Sequence, residues 1–152
     1  MEEVPMIKEE KNFLIGMFIM NIVIIAALIY GLVFFLPLTI KRFDFELMFQ
    51  NKNVFLLCSF PVIISGMLAW IIPDVIKVYK DIAAGKVIEG IGIITDQGIT
   101  GYNVYDKYIR IDSFGKKKIK IKRPGFPYGM KDTKIKFRIS PKSTLLMGFQ
   151  KL

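Results

Sequence analysis

The chain has 152 residues, of which 53% are apolar and 23% are charged, and its formal net charge is +9. It has no histidine and one cysteine, Cys58, which excludes a histidine general base, an internal disulfide and a cysteine metal site within one chain. The positive charge is local, because residues 73–152 hold 17 Lys and Arg against 7 Asp and Glu. These counts predict apolar stretches that are separate from a basic C-terminal part.

After a short acidic tail over 1–12, residues 13–36 form an apolar run without a charge. At about 1.5 Å per residue, a helix of that length covers about 36 Å, more than the roughly 30 Å hydrocarbon core of a bilayer. Only a helix lets a single segment satisfy its own backbone in lipid. The run therefore predicts a first transmembrane helix, too long for the apolar core of a secretory signal.

A second apolar run over 54–72 predicts another span, so the membrane part is a helical hairpin over 13–72. Pro61 lies inside this span and removes one backbone hydrogen bond. We expect a bend there, with the freed carbonyl bonded by Cys58, Ser59 or the facing helix. Small residues spaced four apart allow two helices to approach closely, and they predict the helix-packing positions Ala27, Gly31, Ser65 and Ala69.

Residues 73–85 predict a short amphipathic juxtamembrane helix that continues from the membrane, with a new helical turn at Pro73, a stop at Gly85 and Asp81 away from its apolar side. Basic residues near the membrane are more numerous on the side of the termini. Five there, Lys8, Lys11, Lys77, Lys80 and Lys86, oppose Lys41, Arg42 and Lys52. We therefore expect a multi-pass protein of the cell inner (plasma) membrane with both termini in the cytoplasm.

From residue 86 onward the apolar pattern alternates with a period of two, which is typical of strands. Five short strands within 86–152 predict a basic, all-β barrel domain, OB-like or SH3-like. Gly90 and Gly92 fall on one face of the first strand, where they would allow a sharp bend. The fold class predicted for the whole chain is thus a transmembrane helical hairpin followed by a small five-stranded barrel.

The outward positions of three strands are basic and form a candidate anion-binding face: Arg110, Lys118, Lys120, Lys122, Lys134, Lys136 and Arg138. The simplest interpretation is a solvated surface. Attraction to anionic lipid headgroups is the next, because a membrane tether keeps the local concentration of headgroups high. Single-stranded nucleic acid is the least favoured partner, because the aromatic residues are not regularly interleaved with the basic strands.

The glycine and apolar pattern of GKVIEGIGII, YIRIDSFGKKKIKI and KIKFRISPKSTLLMG, after two membrane helices, resembles small bacterial membrane proteins of the NfeD type and the DUF3592 type. The resemblance covers roughly residues 85–150. It implies an OB-like C-terminal barrel and a membrane-anchored interaction or scaffolding role. It implies no catalytic residue.

No nucleotide-binding loop, nucleophile elbow or metal-ligand cluster occurs in the sequence, so we expect no enzyme activity and no cofactor or metal. The first hypothesis is an adaptor whose barrel binds a protein partner or assembles with copies of itself. The second is a membrane-tethered module that binds anionic lipid or nucleic acid. A third, a small membrane immunity or stress protein, is not separated from the first by the sequence.

Overall fold

The structure is a computed structural model, and it describes residues 1–42, 52–99, 107–122 and 129–152. The chain divides into two compact units. The sheet unit contains Met1–Leu14 and Lys77–Leu152, and the helix unit contains Ile15–Ile76.

Two long helices run through the apolar part of the chain, α1 over Lys8–Arg42 and α2 over Lys52–Ala84. Both are long and apolar enough to cross a membrane, as predicted. Both helices extend beyond the predicted spans. The apolar runs predict only the part that lipid would cover, whereas each helix continues into the polar residues on either side. The residues of the predicted juxtamembrane helix over 73–85 are helical as far as Ala84, as the last part of α2, which continues through Pro73.

Within the helix unit, α1 and α2 pack as an antiparallel pair. The rings of Phe35 and Phe60 stack with centroids 5.1 Å apart. A Cβ added to Gly31 would lie 3.5 Å from Cδ1 of Ile64. Gly31 and Phe35 follow one another along α1, whereas their partners Ile64 and Phe60 come in the reverse order along α2. The two helices are therefore antiparallel, as in a hairpin.

Pro61 leaves the carbonyl of Leu57 without its usual helical N–H donor. The hydroxyl of Thr39, on α1, lies 3.2 Å from this carbonyl and 2.9 Å from the carbonyl of Phe35, so it donates its one proton between the two. The facing helix thus supplies a hydrogen bond to the freed carbonyl, one of the alternatives that the sequence allowed. The hydroxyl of Ser59 instead donates to the carbonyl of Leu56.

Among its described residues the sheet unit has six strands, β1 Glu2–Pro5, β2 Lys86–Ile99, β3 Lys107–Ile111, β4 Ile119–Ile121, β5 Lys134–Ile139 and β6 Leu146–Lys151. Their order is β4-β3-β2-β5-β6, with β1 paired to the start of β2, and every pair is antiparallel. The long strand β2 is central, because it pairs with β1, β3 and β5. The five short strands predicted within 86–152 correspond to β2, β3, β4, β5 and β6.

The predicted five-stranded closed barrel is wrong on two points. A sixth strand, β1, comes from the acidic tail. The sheet is also not closed: in the described part of the chain, β4 and β6 meet at one isolated parallel bridge, Lys120 to Leu145, and not along a ladder. Closure needs consecutive pairing along two edge strands, and β4 has only three residues.

One face of the sheet forms the core of the sheet unit. It contains Ile94, Ile109, Ile111, Ile119, Ile121, Ile135, Phe137, Ile139 and Leu146, each at most 4% exposed. Gly90 and Gly92 also lie on this face, where a Cβ added to Gly90 would come within 2.8 Å of the Phe137 ring and one added to Gly92 would overlap Ser113 and Ile111. The glycines are required because a side chain at either position would collide with the core. The opposite face of β2 carries Glu89, Ile91 and Ile93.

Candidate functional site

The outer face of β2 and β5 carries a cluster of charged side chains centred on Arg138. The guanidinium donates from Nε to Glu10 Oε1 over 2.7 Å and from Nη1 to Glu89 Oε2 over 2.6 Å. Its Nη2 donates to Glu10 Oε2 and to the carbonyl of Pro5, both over 3.0 Å. Arg138 thereby joins three parts of the sheet unit, namely β1, β2 and the first turn of α1.

Glu10 is the most buried member of this cluster, with its side chain 3% exposed. It is the third residue of α1, and its Oε2 accepts a hydrogen bond of 3.0 Å from the backbone N–H of Ile7, just before the helix. A glutamate at this position commonly caps the preceding N–H, and its charge is favoured by the helix dipole. The same carboxylate therefore starts α1 and binds β5.

The ionisation of the cluster follows from these pairs. The Glu10 carboxylate raises the pKa of Arg138 above its usual value, against the effect of burial. Lys136, whose Nζ lies 2.6 Å from Glu89 Oε1, lowers the pKa of Glu89, and Arg138 lowers it further. Arg138 and Glu89 are consequently both charged at neutral pH.

A cavity of about 440 Å³ lies beside this cluster, lined by Ile7, Glu9, Glu10, Glu89, Lys136, Arg138, Met147, Gly148, Phe149 and Gln150. Its two cations, Lys136 and Arg138, are already bonded to carboxylates. An anion entering the cavity would therefore have to compete with Glu10 and Glu89. The arrangement is suited to holding the first turn of α1 on the sheet.

A second buried carboxylate, Asp81, lies near the end of α2 and is completely buried. It accepts hydrogen bonds from the N–H of Lys142 over 2.9 Å, from the N–H of Ser143 over 2.7 Å and from the hydroxyl of Ser143 over 2.6 Å. The Ser140 hydroxyl lies 2.6 Å from that of Ser143, and Ser140 Oγ also accepts from the N–H of Leu145. Asp81 thus holds the connection between β5 and β6 against the end of α2.

The end of α2 is also tied to the start of the chain. Gly85 follows the helix with φ +62°, a conformation that favours glycine, and its N–H donates to the carbonyl of Asp81. The carbonyl of Gly85 accepts a hydrogen bond of 2.9 Å from the N–H of Met6. The termini of both long helices are therefore built into the sheet unit.

All seven residues of the predicted anion-binding face lie off the core of the sheet, but at least three of them have carboxylate partners. Arg138 and Lys136 bind Glu10 and Glu89, and Arg110 Nη1 lies 3.2 Å from Asp96. Lys118 Nζ lies 4.5 Å from the centre of the Tyr108 ring, a cation–π contact. The remaining members are Lys120, Lys122 and Lys134, and Lys122 and Lys134 are exposed. An anion-binding role for the face stays a prediction.

Of the four predicted helix-packing residues, Gly31 lies next to the partner helix, at Ile64. Ala27, Ser65 and Ala69 are exposed in the chain. Their role in close packing stays a prediction. The single cysteine, Cys58, is buried.

The sequence did not identify Glu10, Asp81 or Ser143 as residues with a structural role. Glu10 carries a signal that was available, since an acidic residue in the first helical turn marks a helix start. That signal was missed because the first helix was predicted to begin at residue 13 rather than at Lys8. Asp81 has no local signal, because all of its side-chain partners are more than 60 positions away in the chain.

Within the described ranges, no group of three His, Cys, Asp or Glu side chains could hold a metal ion. The resemblance to NfeD-type and DUF3592-type proteins stays an expectation from the sequence. No protein-family model, curated protein or solved structure matches the chain.

Proposed function

We propose that this protein is a non-catalytic integral membrane protein, anchored by α1 and α2, whose sheet unit is a protein-interaction or scaffolding module. The proposal rests on one observation above all: the ends of both apolar helices are built into the sheet unit. Arg138 holds the start of α1 through Glu10, and Asp81 holds the end of α2. Residues 1–14 and 77–84, at the ends of the two helices, therefore belong to the same compact unit as the sheet.

Membrane insertion is supported by the exposure of the helices. None of the most apolar segment of α1 is buried within the chain, and only 17% of that of α2 is. The central helices of soluble proteins bury such surfaces against other elements. Here the apolar side chains need an external apolar phase, and a bilayer supplies one. The excess of basic residues beside the termini favours a cytoplasmic sheet unit at the inner membrane.

The anchor is tested by washing membranes that contain the full chain with alkaline carbonate. The protein should stay in the membrane pellet, because two inserted helices are not released by loss of surface charge. Release of the intact chain into the supernatant would contradict the anchor.

The interaction module is tested by chemical cross-linking in cells, followed by purification in a mild detergent. We expect a stoichiometric protein partner or a defined oligomer of this chain. The variant Asp81→Ala, which disrupts the connection between β5 and β6, should lose that partner, whereas the exposed neighbour change Lys80→Ala should keep it. A monodisperse monomer without a partner would contradict the proposal.

A further inference from the structure

The structure divides the basic face of the sheet unit into two parts. On β5, Lys136 and Arg138 are paired with Glu89 and Glu10. The other part is the β3–β4 hairpin, which we define as residues 107–122 and which holds seven Lys and Arg against one carboxylate. The whole hairpin belongs to the sheet unit. The two parts therefore differ in how much of their positive charge is balanced inside the chain.

The two carboxylates at the hairpin have other partners than the lysines of its connecting segment. Asp112, the one carboxylate of the hairpin, accepts hydrogen bonds at Oδ1 from the backbone N–H of Ile93 over 2.8 Å and from that of Ser113 over 2.6 Å. Asp96, on β2, lies 3.2 Å from Nη1 of Arg110. Asp112 thus supports the backbone, and Asp96 balances the arginine of β3.

The connecting segment carries three adjacent exposed lysines, Lys116, Lys117 and Lys118. Among the described residues, no carboxylate forms an ion pair with any of them. Two of the amines lie over aromatic rings, Lys118 Nζ at 4.5 Å from the centre of Tyr108 and Lys117 Nζ at 5.9 Å from that of Phe114. These contacts restrict the lysine side chains, so less conformational freedom is lost when an anion binds.

The rings of the hairpin indicate which kind of anion fits. A Cβ added to Gly98 would come within 2.8 Å of the Tyr108 ring, and the Phe114 ring packs edge to face on Phe137 with centroids 6.4 Å apart. Both rings are thus engaged within the chain, whereas proteins that bind single-stranded nucleic acid offer rings on which bases stack. The hairpin offers charge alone, which is what carboxylates recognise.

The spacing of the hairpin lysines matches an extended acidic segment. Lys118, Lys120 and Lys122 occupy alternate positions along β4 and its flanking residues, so they are about 6.6 Å apart along the strand. An extended segment of another protein places alternate side chains on one side at the same interval. Carboxylates at alternate positions of such a segment can therefore follow the lysines in register.

We propose that the β3–β4 hairpin binds an acidic, extended segment of a partner protein, whose carboxylates pair with Lys116, Lys117 and Lys118. The inference rests on the proposed interaction module and names the chemistry of its partner. Because the ion pairs are exposed, salt screens them, and the affinity should fall as the salt concentration rises.

The experiment uses the full chain in nanodiscs of phosphatidylcholine, which has no net charge, and a fluorescent peptide of alternating Glu and Thr as the probe. Fluorescence polarisation should show binding that weakens with salt. The variant with Lys116→Gln, Lys117→Gln and Lys118→Gln should bind about ten-fold more weakly, because each exposed ion pair contributes about two-fold or more. No binding of the peptide to the unsubstituted chain would overturn the proposal.

The matched control removes the same charge from exposed lysines outside the hairpin, with Lys134→Gln, Lys142→Gln and Lys151→Gln. This variant should change the affinity by less than about two-fold, because distant exposed charges are screened. Equal weakening by both triple variants would overturn the proposal, since net charge and not the hairpin would then decide binding. Tighter binding of an oligothymidine strand that is lost with the hairpin lysines would assign the site to nucleic acid, and would also overturn it.

A second measurement needs no variant and separates this inference from the proposed function. A carbodiimide joins a carboxylate to a lysine amine that it contacts, so it links an acidic partner to the full chain in native membranes. Mass spectrometry of the linked peptides should find acidic residues of the partner on Lys116, Lys117 or Lys118. A partner linked only through other lysines would overturn the hairpin site and leave the interaction module standing. The absence of any linked partner would contradict both.

Discussion

The helix unit and the sheet unit use aliphatic and aromatic side chains in opposite ways. In the helix unit, Val62 and Trp70 are 72% and 77% exposed, whereas in the sheet unit Ile109 and Phe137 are fully buried. The sheet unit thus excludes water from its own core. The helix unit leaves most of its apolar side chains exposed within the chain. Under the proposed membrane anchor, the two units depend on different solvents for their stability.

The largest expected effect on stability comes from a substitution in the core of the sheet unit. Phe137→Ala removes a fully buried ring and should destabilise the sheet unit by about 3–5 kcal/mol, because a cavity replaces the lost contacts. Trp70→Ala, at an exposed position of α2, should change the free energy of unfolding in detergent by less than about 1 kcal/mol.

Urea unfolding in detergent, followed by hydrogen exchange of the β5 amides, measures both variants. Comparable losses of stability from the two substitutions would contradict the difference between a sheet unit with its own core and a helix unit without one.

A smaller effect is expected where the sheet unit holds the end of α2. Asp81→Ala leaves the N–H groups of Lys142 and Ser143 and the hydroxyl of Ser143 without their acceptor, and should cost about 2–4 kcal/mol. Ser143→Ala removes one of these donors and should cost about 1 kcal/mol. Hydrogen exchange of residues 140–145 should rise in that order. Unchanged exchange in Asp81→Ala would show that the connection between β5 and β6 does not depend on this carboxylate.

The smallest expected effect concerns the charged cluster at the start of α1. Because the pKa of Glu89 is lowered from 4.5 in the folded protein, its carboxylate adds stability above pH 4.5 that is lost as the pH falls through the lower folded value. Glu89→Gln should therefore flatten the fall of the melting temperature below pH 4.5. Lys136→Met, which removes the main cause of the shift, should flatten it in part.

Circular dichroism melts between pH 7 and the acid limit of solubility compare these variants. A melting temperature whose acid dependence is the same with glutamate and with glutamine at position 89 would contradict the role of the ion pairs.

The helices and most strands were predictable because their signals are local. The uncharged run over 13–36 can be recognised without the rest of the chain, and so can the alternation of Ile119 and Ile121 with lysines. The strand β1 was not predictable, because four residues, EEVP, carry no apolar period. It forms because residues 86–89 offer an edge for pairing, and that edge exists only in the folded sheet.

The sequence by itself determined the two apolar helices, the alternating strands after residue 86 and the core face of isoleucines around Phe137, since each depends on residue spacing along one segment. The tertiary structure alone decided that the sheet stays open, that Arg138 binds carboxylates and that Thr39 bonds the carbonyl freed by Pro61. The physical reason is the separation along the chain between the residues that interact. Hydrophobic periodicity acts between neighbours in the chain, whereas the partners of Arg138 lie up to 133 residues away and meet it only after the strands have paired.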